Sequence, residues 1–347
     1  MTRKIFFIIG AVVATGIQPT SMAMQQTPAN AQKSERRIER LDPALDRLIA
    51  PDAAIEILAE GYDWSEGPVW VKHGGYLLFS DVPQNVVYRW KQGEGAKPYL
   101  KPSGYTGSEP RGGEMGSNGL TLDSTGHLVL CQHGDRRVAR METPTSDPQP
   151  KFATLADRYE GKRFNSPNDL VFKSNGDLYF TDPAYGLEKQ FDDPKRELPY
   201  AGVYRRSRSG EITLLTKEMT RPNGLAFSPD EKLLYVAQSD ADAAIWRVFD
   251  VKGDGTITNG RILLDVTSMT KTRQGLPDGL KIDTDGNLFA TGPGGVLIIS
   301  PQGKHLGTIL TGQATANCAW GDDGHSLYIT ADMYLMRVKV KAKGRVL

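Results

Sequence analysis

A short opening recurs six times along this chain without gaps: Glu66-Gly-Pro-Val-Trp, Asn118-Gly-Leu-Thr-Leu, Asn168-Asp-Leu-Val-Phe, Asn223-Gly-Leu-Ala-Phe, Asp278-Gly-Leu-Lys-Ile and Asn317-Cys-Ala-Trp-Gly. Ten residues after each start stands Tyr76, Leu128, Leu178, Leu233, Leu288 or Leu327, opening a second apolar run such as Leu77-Leu78-Phe79 or Leu234-Tyr235-Val236. Turn formers separate the two runs, among them Ser174-Asn175-Gly176, Asp283 to Gly286 and Asp322-Asp323-Gly324. Each unit therefore reads as strand, tight turn, strand. Repetition of this kind decides the architecture before any single residue does.

The starts lie 52, 50, 55, 55 and 39 residues apart, room for a four-stranded sheet in each of the first four intervals. Val86 to Trp90 and Gly202 to Arg205 read as third strands, Pro98 to Leu100 and Ile212 to Leu215 as fourths. The short fifth interval still holds Val296 to Ile299 and Thr308 to Leu310. The expected fold is all-β, a six-bladed β-propeller over residues 51–347. From Asn317 to the end there is too little chain for four strands, so Ala54 to Leu58 is expected to complete the sixth blade and close the ring. Gly at 37 and Pro at 21 fit a chain of short strands and many turns.

Strands of a propeller run outward from a central channel, so the six starts arrive at one depth on the axis. Glu66, Asn118, Asn168, Asn223, Asp278 and Asn317 all carry side-chain oxygen. Two carboxylates among amides suit one divalent cation, Ca²⁺ first and Mg²⁺ or Mn²⁺ after it. The competing reading is that Asn-Gly and Asp-Gly are ordinary turn pairs whose side chains bond backbone. Only five His occur, none at metal-ligand spacing. Asp283-Thr-Asp285-Gly-Asn287 resembles part of a calcium loop but lacks the downstream Glu and falls where a hairpin turn belongs. No Gly-x-Ser-x-Gly elbow is present, which disfavours a serine hydrolase.

Lys plus Arg is 42 against 41 for Asp plus Glu, a formal charge of +1, which does not suggest a nucleic-acid partner. Cys131 and Cys318 are the only cysteines and stand at different positions of non-adjacent units, so two buried thiols are expected rather than a disulfide. Arg3 and Lys4 precede a short apolar run from Ile5 to Gly16, and Ser21-Met22-Ala23 offers a cleavage site. Residues 1–23 read as a signal peptide and the mature chain as periplasmic or secreted, with no stable membrane anchor after cleavage. Residues 24–50 form an N-terminal lead-in, expected to pack loosely, with a helical hint at Pro43 to Ala50.

The chain resembles the SMP-30/gluconolactonase/LRE family, exported bacterial members in particular. The resemblance is carried by Trp64-Ser-Glu-Gly-Pro-Val-Trp70, Gly116-Ser-Asn-Gly-Leu120, Lys162-Arg-Phe-Asn-Ser-Pro-Asn-Asp169, Phe180-Thr-Asp-Pro183 with Tyr185-Gly186, Arg221-Pro-Asn-Gly-Leu225 and Leu276-Pro-Asp-Gly279, in order along nearly the whole mature chain. It implies a propeller with one central cation, Ca²⁺ foremost (Mg²⁺, Mn²⁺ or Zn²⁺ otherwise), held by Glu66, Asn223 and Asp278. Asn168 is implied as a further ligand or a substrate contact. The family uses an arginine just before that asparagine for substrate, and Arg163, set further off by Asn165-Ser-Pro, is the implied counterpart; Asn118 and His133 are candidates for sugar hydroxyls, with Glu114 and Tyr185 behind them. The implied reaction is hydrolysis of a sugar lactone, glucono-1,5-lactone or a related aldonolactone, with Asp278 as the carboxylate that orients water and accepts its proton. The alternatives are a hydrolase of other esters or organophosphates on the same scaffold, and a non-catalytic exported binding propeller.

Overall fold

The computed structural model describes residues 36–346. Residues 1–23, expected to be a signal peptide, and residues 24–35 of the lead-in lie outside the described residues. Six blade sheets form in sequence order, each of antiparallel strands counted here from the innermost outward, beside one separate two-stranded ribbon. Blade 1 comprises Ser65–Val71, Tyr76–Asp81, Val86–Lys91 and Gly95–Leu100. Blade 2 comprises Ser117–Leu122, Leu128–Gln132, Arg137–Met141 and Phe152–Ala156. Blade 3 comprises Leu170–Phe172, Leu178–Asp182, Gly202–Arg206 and Ile212–Thr216, and blade 4 Pro222–Phe227, Leu233–Gln238, Ile245–Val251 and Ile257–Asp265. Blade 5 is built from Leu280–Ile282, Leu288–Gly292, Gly295–Ile299 and His305–Leu310. Blade 6 takes Thr315–Gly321, Ser326–Ala331 and Tyr334–Lys339 from the end of the chain and Ile55–Glu60 from its beginning, the register running from Ile55 opposite Val338 to Glu60 opposite Tyr334. The expected ring closure therefore forms, and it leaves no free edge where the ring would otherwise open.

The hairpin turns form where the Gly-containing clusters place them. In blade 3 Lys173 N–H donates to Asp177 O at 2.8 Å, and Gly176 takes φ +90, a conformation that favours glycine. Asp283 to Asn287 is likewise a hairpin turn. Asp283 Oδ1 accepts from Asp285 and Asn287 N–H at 2.9 and 2.8 Å, so its oxygens are used locally rather than for a cation.

Inner strands are apolar on both faces because each blade packs between two others. In blade 1 Val69, Val71 and Leu78 pack toward blade 2, while Trp70, Leu77 and Phe79 pack toward blade 6. The same alternation generates six apolar layers, one at each junction between neighbouring blades. At the closing seam Trp70 stacks on Tyr328 with ring centroids 5.3 Å apart. With the hydrophobic burial placed between blades, the axis is left to polar groups.

The lead-in differs from expectation over its described part. Arg37–Arg40 adds a fifth strand to blade 5, pairing with His305–Leu310. A 3-10 helix follows at Pro43–Arg47, capped by Asp42, and Leu45 and Ile49 are fully buried. Glu39 and Arg273 form a two-pronged ion pair with both contacts at 2.8 Å. Apolar anchors and this pair fix a segment whose polar composition suggested loose packing. Cys131 and Cys318 are free, buried thiols, and no helix among the described residues is long and apolar enough to cross a membrane.

Candidate active site

The innermost strands are irregular where the repeat begins. The pairing register shifts between Glu66 and Val69, Ser117 and Leu120, Pro222 and Leu225, and Thr315 and Asn317. In blades 3 and 5 regular pairing starts only at Leu170 and Leu280, two residues after Asn168 and Asp278. Such bulges re-aim side chains. The residue after the start explains the rest of the motif. Gly224 N–H donates to Asp278 O of the next blade at 3.2 Å, and a Cβ at 224 would stand 2.3 Å from that oxygen. At Gly67, which takes φ +53, a Cβ would meet Asn118 O at 2.1 Å. The Asn-Gly and Asp-Gly pairs are thus not hairpin turns: the first residue supplies an axial oxygen, and the glycine lets the next blade close in.

Five of the six starts, Glu66, Asn118, Asn168, Asn223 and Asp278, line one cavity of about 350 Å³ at the mouth of the channel. Asn317 is brought near but plays another part. Its Nδ2 donates to Glu66 Oε2 at 3.2 Å and reaches Asp169 Oδ2 at 3.4 Å, while its oxygen accepts from Cys318 N–H. It holds Glu66 from behind instead of offering a free oxygen to the cavity.

The electrostatics of the cavity are unbalanced. Glu66 is pushed up to about 8, chiefly by burial and then by the negative charge of Asp169. Asp278 is raised well above the carboxylate range by burial, then by Glu66, Asp169 and Glu114. Asn118 Oδ1, Asn168 Oδ1, Asn223 Oδ1 and Asp278 Oδ1 are buried without a hydrogen-bond partner. Buried acceptors left bare are costly, on the order of 1–3 kcal/mol each, and here four, three amides and one carboxylate, share one cavity with the carboxylate of Glu66. The arrangement fits a hard divalent cation, which would satisfy the Asn168, Asn223 and Asp278 oxygens together with Glu66 and reverse the carboxylate repulsion. Among the described residues no three His, Cys, Asp or Glu side chains gather as a metal cluster. The donor set is therefore two carboxylates and neutral amides, suited to Ca²⁺ better than to Zn²⁺.

Other predicted residues are placed less directly. Arg163 does not line this cavity. It lines a second one of about 560 Å³ with Arg136, Arg137, Asp135 and Asp193, and its Nη2 donates to Asp135 O at 3.0 Å. The two-stranded ribbon Arg158–Tyr159 and Lys162–Arg163 carries it outward, three residues before the chain turns in at Ser166. His133 is fully buried behind the cavity wall, its Nδ1 3.3 Å from Glu114 Oε2. Glu114 and Tyr185 do line the cavity, joined by Trp64, Arg221, Ser239, Leu276 and Thr315. Tyr185 O–H donates to Ser239 O at 3.2 Å, and Arg221 lies over the Phe191 ring at 4.8 Å.

Trp64, Arg221, Ser239 and Thr315 escape a repeat-based reading because they flank the repeated positions. Asp169 had a visible signal: together with Cys318 it replaces the glycine found after every other start.

Residues 64–332 match the model of the SMP-30/Gluconolactonase/LRE-like region. The chain is 41% identical to a gluconolactonase of Zymomonas mobilis over 315 residues, 89% of this chain and 87% of that one. Among solved structures, a gluconolactonase of Xanthomonas campestris superposes with a TM-score of 0.75 at 30% identity, covering 87% of this chain and 94% of the other. A regucalcin of Agrobacterium tumefaciens, described as calcium-binding, matches in fold with a TM-score of 0.66 at 17% identity, covering 85% and 96%.

Proposed function

As the chain belongs to the SMP-30/gluconolactonase/LRE-like family, we propose that it is a lactonase that opens a sugar lactone, glucono-1,5-lactone or a close aldonolactone, to the aldonic acid. The observation that carries this reading is the set of bare, buried oxygens on Asn118, Asn168, Asn223 and Asp278, gathered with Glu66 around a monosaccharide-sized cavity. Glu66, Asn168, Asn223 and Asp278 would hold the cation, Ca²⁺ foremost. When bound, such a cation polarises the lactone carbonyl and stabilises the charge that develops on its oxygen.

The chain's own residues supply position and surroundings. Asp278 orients the attacking water beside the carbonyl. Asn118 Oδ1, buried and unpartnered, accepts a sugar hydroxyl. Trp64 and Leu276 offer apolar surface to the C–H edges of the ring, and Arg221 a cation to its oxygens. The blade 3 connection from Pro183 to Ala201 brings Tyr185 to one side of the cavity. Export to a periplasmic or extracellular location rests on residues 1–23 and suits an enzyme meeting products of sugar oxidation.

Turnover measured by pH-stat on glucono-1,5-lactone, a pentonolactone, an aryl ester and a phosphotriester tests the reading. Rapid opening of the sugar lactones well above their spontaneous rate is expected. Preference for the aryl ester or phosphotriester, or no acceleration of any substrate, would overturn it.

A further inference from the structure

Asp278 is a poor proton acceptor if it holds a cation, because a bound cation stabilises the carboxylate and lowers its basicity. Glu66 has the same limitation. A third carboxylate, Glu114, lines the same cavity and is not among the cation-binding oxygens. It stands on the connection from blade 1 to blade 2, which is tied down at several points. Asn85 Oδ1 accepts from the N–H groups of Ser103, Gly104 and Tyr105, and Gly116 N–H donates to Val82 O at 2.8 Å. Arg111 reaches across to Gly134 O at 2.9 Å and to Gly186 O, joining this connection to loops of blades 2 and 3. These ties hold the backbone on both sides of Glu114 and so place its side chain at the cavity.

Behind Glu114 lies His133, with no exposed surface, its Nδ1 3.3 Å from Glu114 Oε2. That distance is within reach, yet the alignment is not that of a hydrogen bond, and neither ring nitrogen has a partner. A buried imidazole with both nitrogens bare is costly, and one small movement of Glu114 would give Nδ1 a partner. Catalytic hydrogen bonds are often long before substrate binds and tighten in the complex. Gly186 packs directly on the imidazole: a Cβ there would stand 2.5 Å from His133 Cβ. The ring is therefore held facing the carboxylate.

We propose that Glu114 is the proton-transfer residue of the lactonase reaction and that His133 is its positioning residue. This rests on the lactonase reading above. As the water oxygen bonds to the carbonyl carbon, Glu114 takes one water proton. As the bond from that carbon to the ring oxygen breaks, Glu114 returns the proton to the departing ring oxygen. The aldonic acid then loses its carboxyl proton to solvent, and Glu114 is regenerated as the carboxylate.

The test uses the full protein loaded with calcium, assayed on glucono-1,5-lactone with the spontaneous rate subtracted. Glu114→Gln should lower kcat by about 100-fold or more, within the range that general acid–base catalysis supplies, with KM and calcium affinity changed less than about threefold. Glu114→Ala should regain turnover in added formate, whereas wild type should not respond. His133→Phe should lower kcat about tenfold at unchanged KM, and His133→Gln, which keeps an N–H, should recover part of it. Retention of kcat in Glu114→Gln, a loss confined to KM, a loss that follows calcium affinity, or absence of formate rescue would each overturn the proposal. If wild type itself fails to open the lactone, the lactonase reading falls instead.

Discussion

Removing the cation should make the protein's stability depend on pH in a way that Glu66→Gln weakens. In the unfolded chain a Glu releases its proton near 4.5, whereas folded Glu66 holds it until about 8, because burial and then Asp169 oppose its charge. Across that window the folded state binds more protons than the unfolded state, so metal-free stability falls as pH rises. Each pH unit is worth about 1.4 kcal/mol, so from pH 5 to 8 Glu66 alone removes at most about 4 kcal/mol, and the raised Asp278 and Asp182 add to the fall. A propeller of roughly 300 residues unfolds with an entropy of about 0.6 kcal/mol/K, so Tm should drop by roughly 6 °C. Calcium at about 100 times its Kd adds about 2.7 kcal/mol, or roughly 4 °C. Because calcium must displace these protons at low pH, its stabilisation should grow from pH 5 to pH 8. Scanning calorimetry at pH 5, 6, 7 and 8, with chelator and with calcium, reads both effects. Glu66→Gln should make the chelated profile shallower, leaving the fall that Asp278 and Asp182 contribute, and respond weakly to calcium. A chelated wild-type Tm that does not fall with pH, or a calcium increment that is the same at every pH, would refute the reasoning.

Asp278→Ala should abolish lactonase activity while far-ultraviolet circular dichroism still reports a folded β protein, since the side chain faces a cavity rather than an apolar layer. Gly224→Ala should weaken calcium binding, measured by titration calorimetry, by at least tenfold and lower stability by about 1–3 kcal/mol, because the added Cβ must push Asp278 O away. Arg163→Ala should leave kcat/KM on glucono-1,5-lactone within about twofold, because Arg163 belongs to the second cavity. A tenfold loss there would return it to the substrate site.

The architecture was legible because it is repeated. A hairpin whose start recurs six times constrains blade number and strand order, and the missing outer strand of blade 6 pointed to Ile55–Glu60. The axial oxygens were legible for the same reason, since equivalent positions in a closed ring must converge. What the sequence concealed lies in the connections. Arg163 stands near Asn168 in sequence, but a short ribbon turns it outward. Glu114 sits in a long Gly-rich connection with no periodic pattern, and its closeness to His133 depends on how two loops fold over one another. Residues 36–50 look polar in one dimension, yet Leu45 and Ile49 are enough to seat them on blade 5. Asn317 matched the other starts in chemistry, but Asp169 in the neighbouring position drew its amide inward.

In the mechanism proposed for this chain, Glu66, Asn168, Asn223 and Asp278 grip one cation that lactone opening requires. The most direct test is pH-stat turnover of glucono-1,5-lactone by protein whose metal content is measured in the same samples, from fully chelated to saturated with calcium. Turnover should rise in proportion to bound cation and reach its plateau at one equivalent per chain. Full turnover in metal-free protein, or a plateau unrelated to the bound cation, would contradict the account.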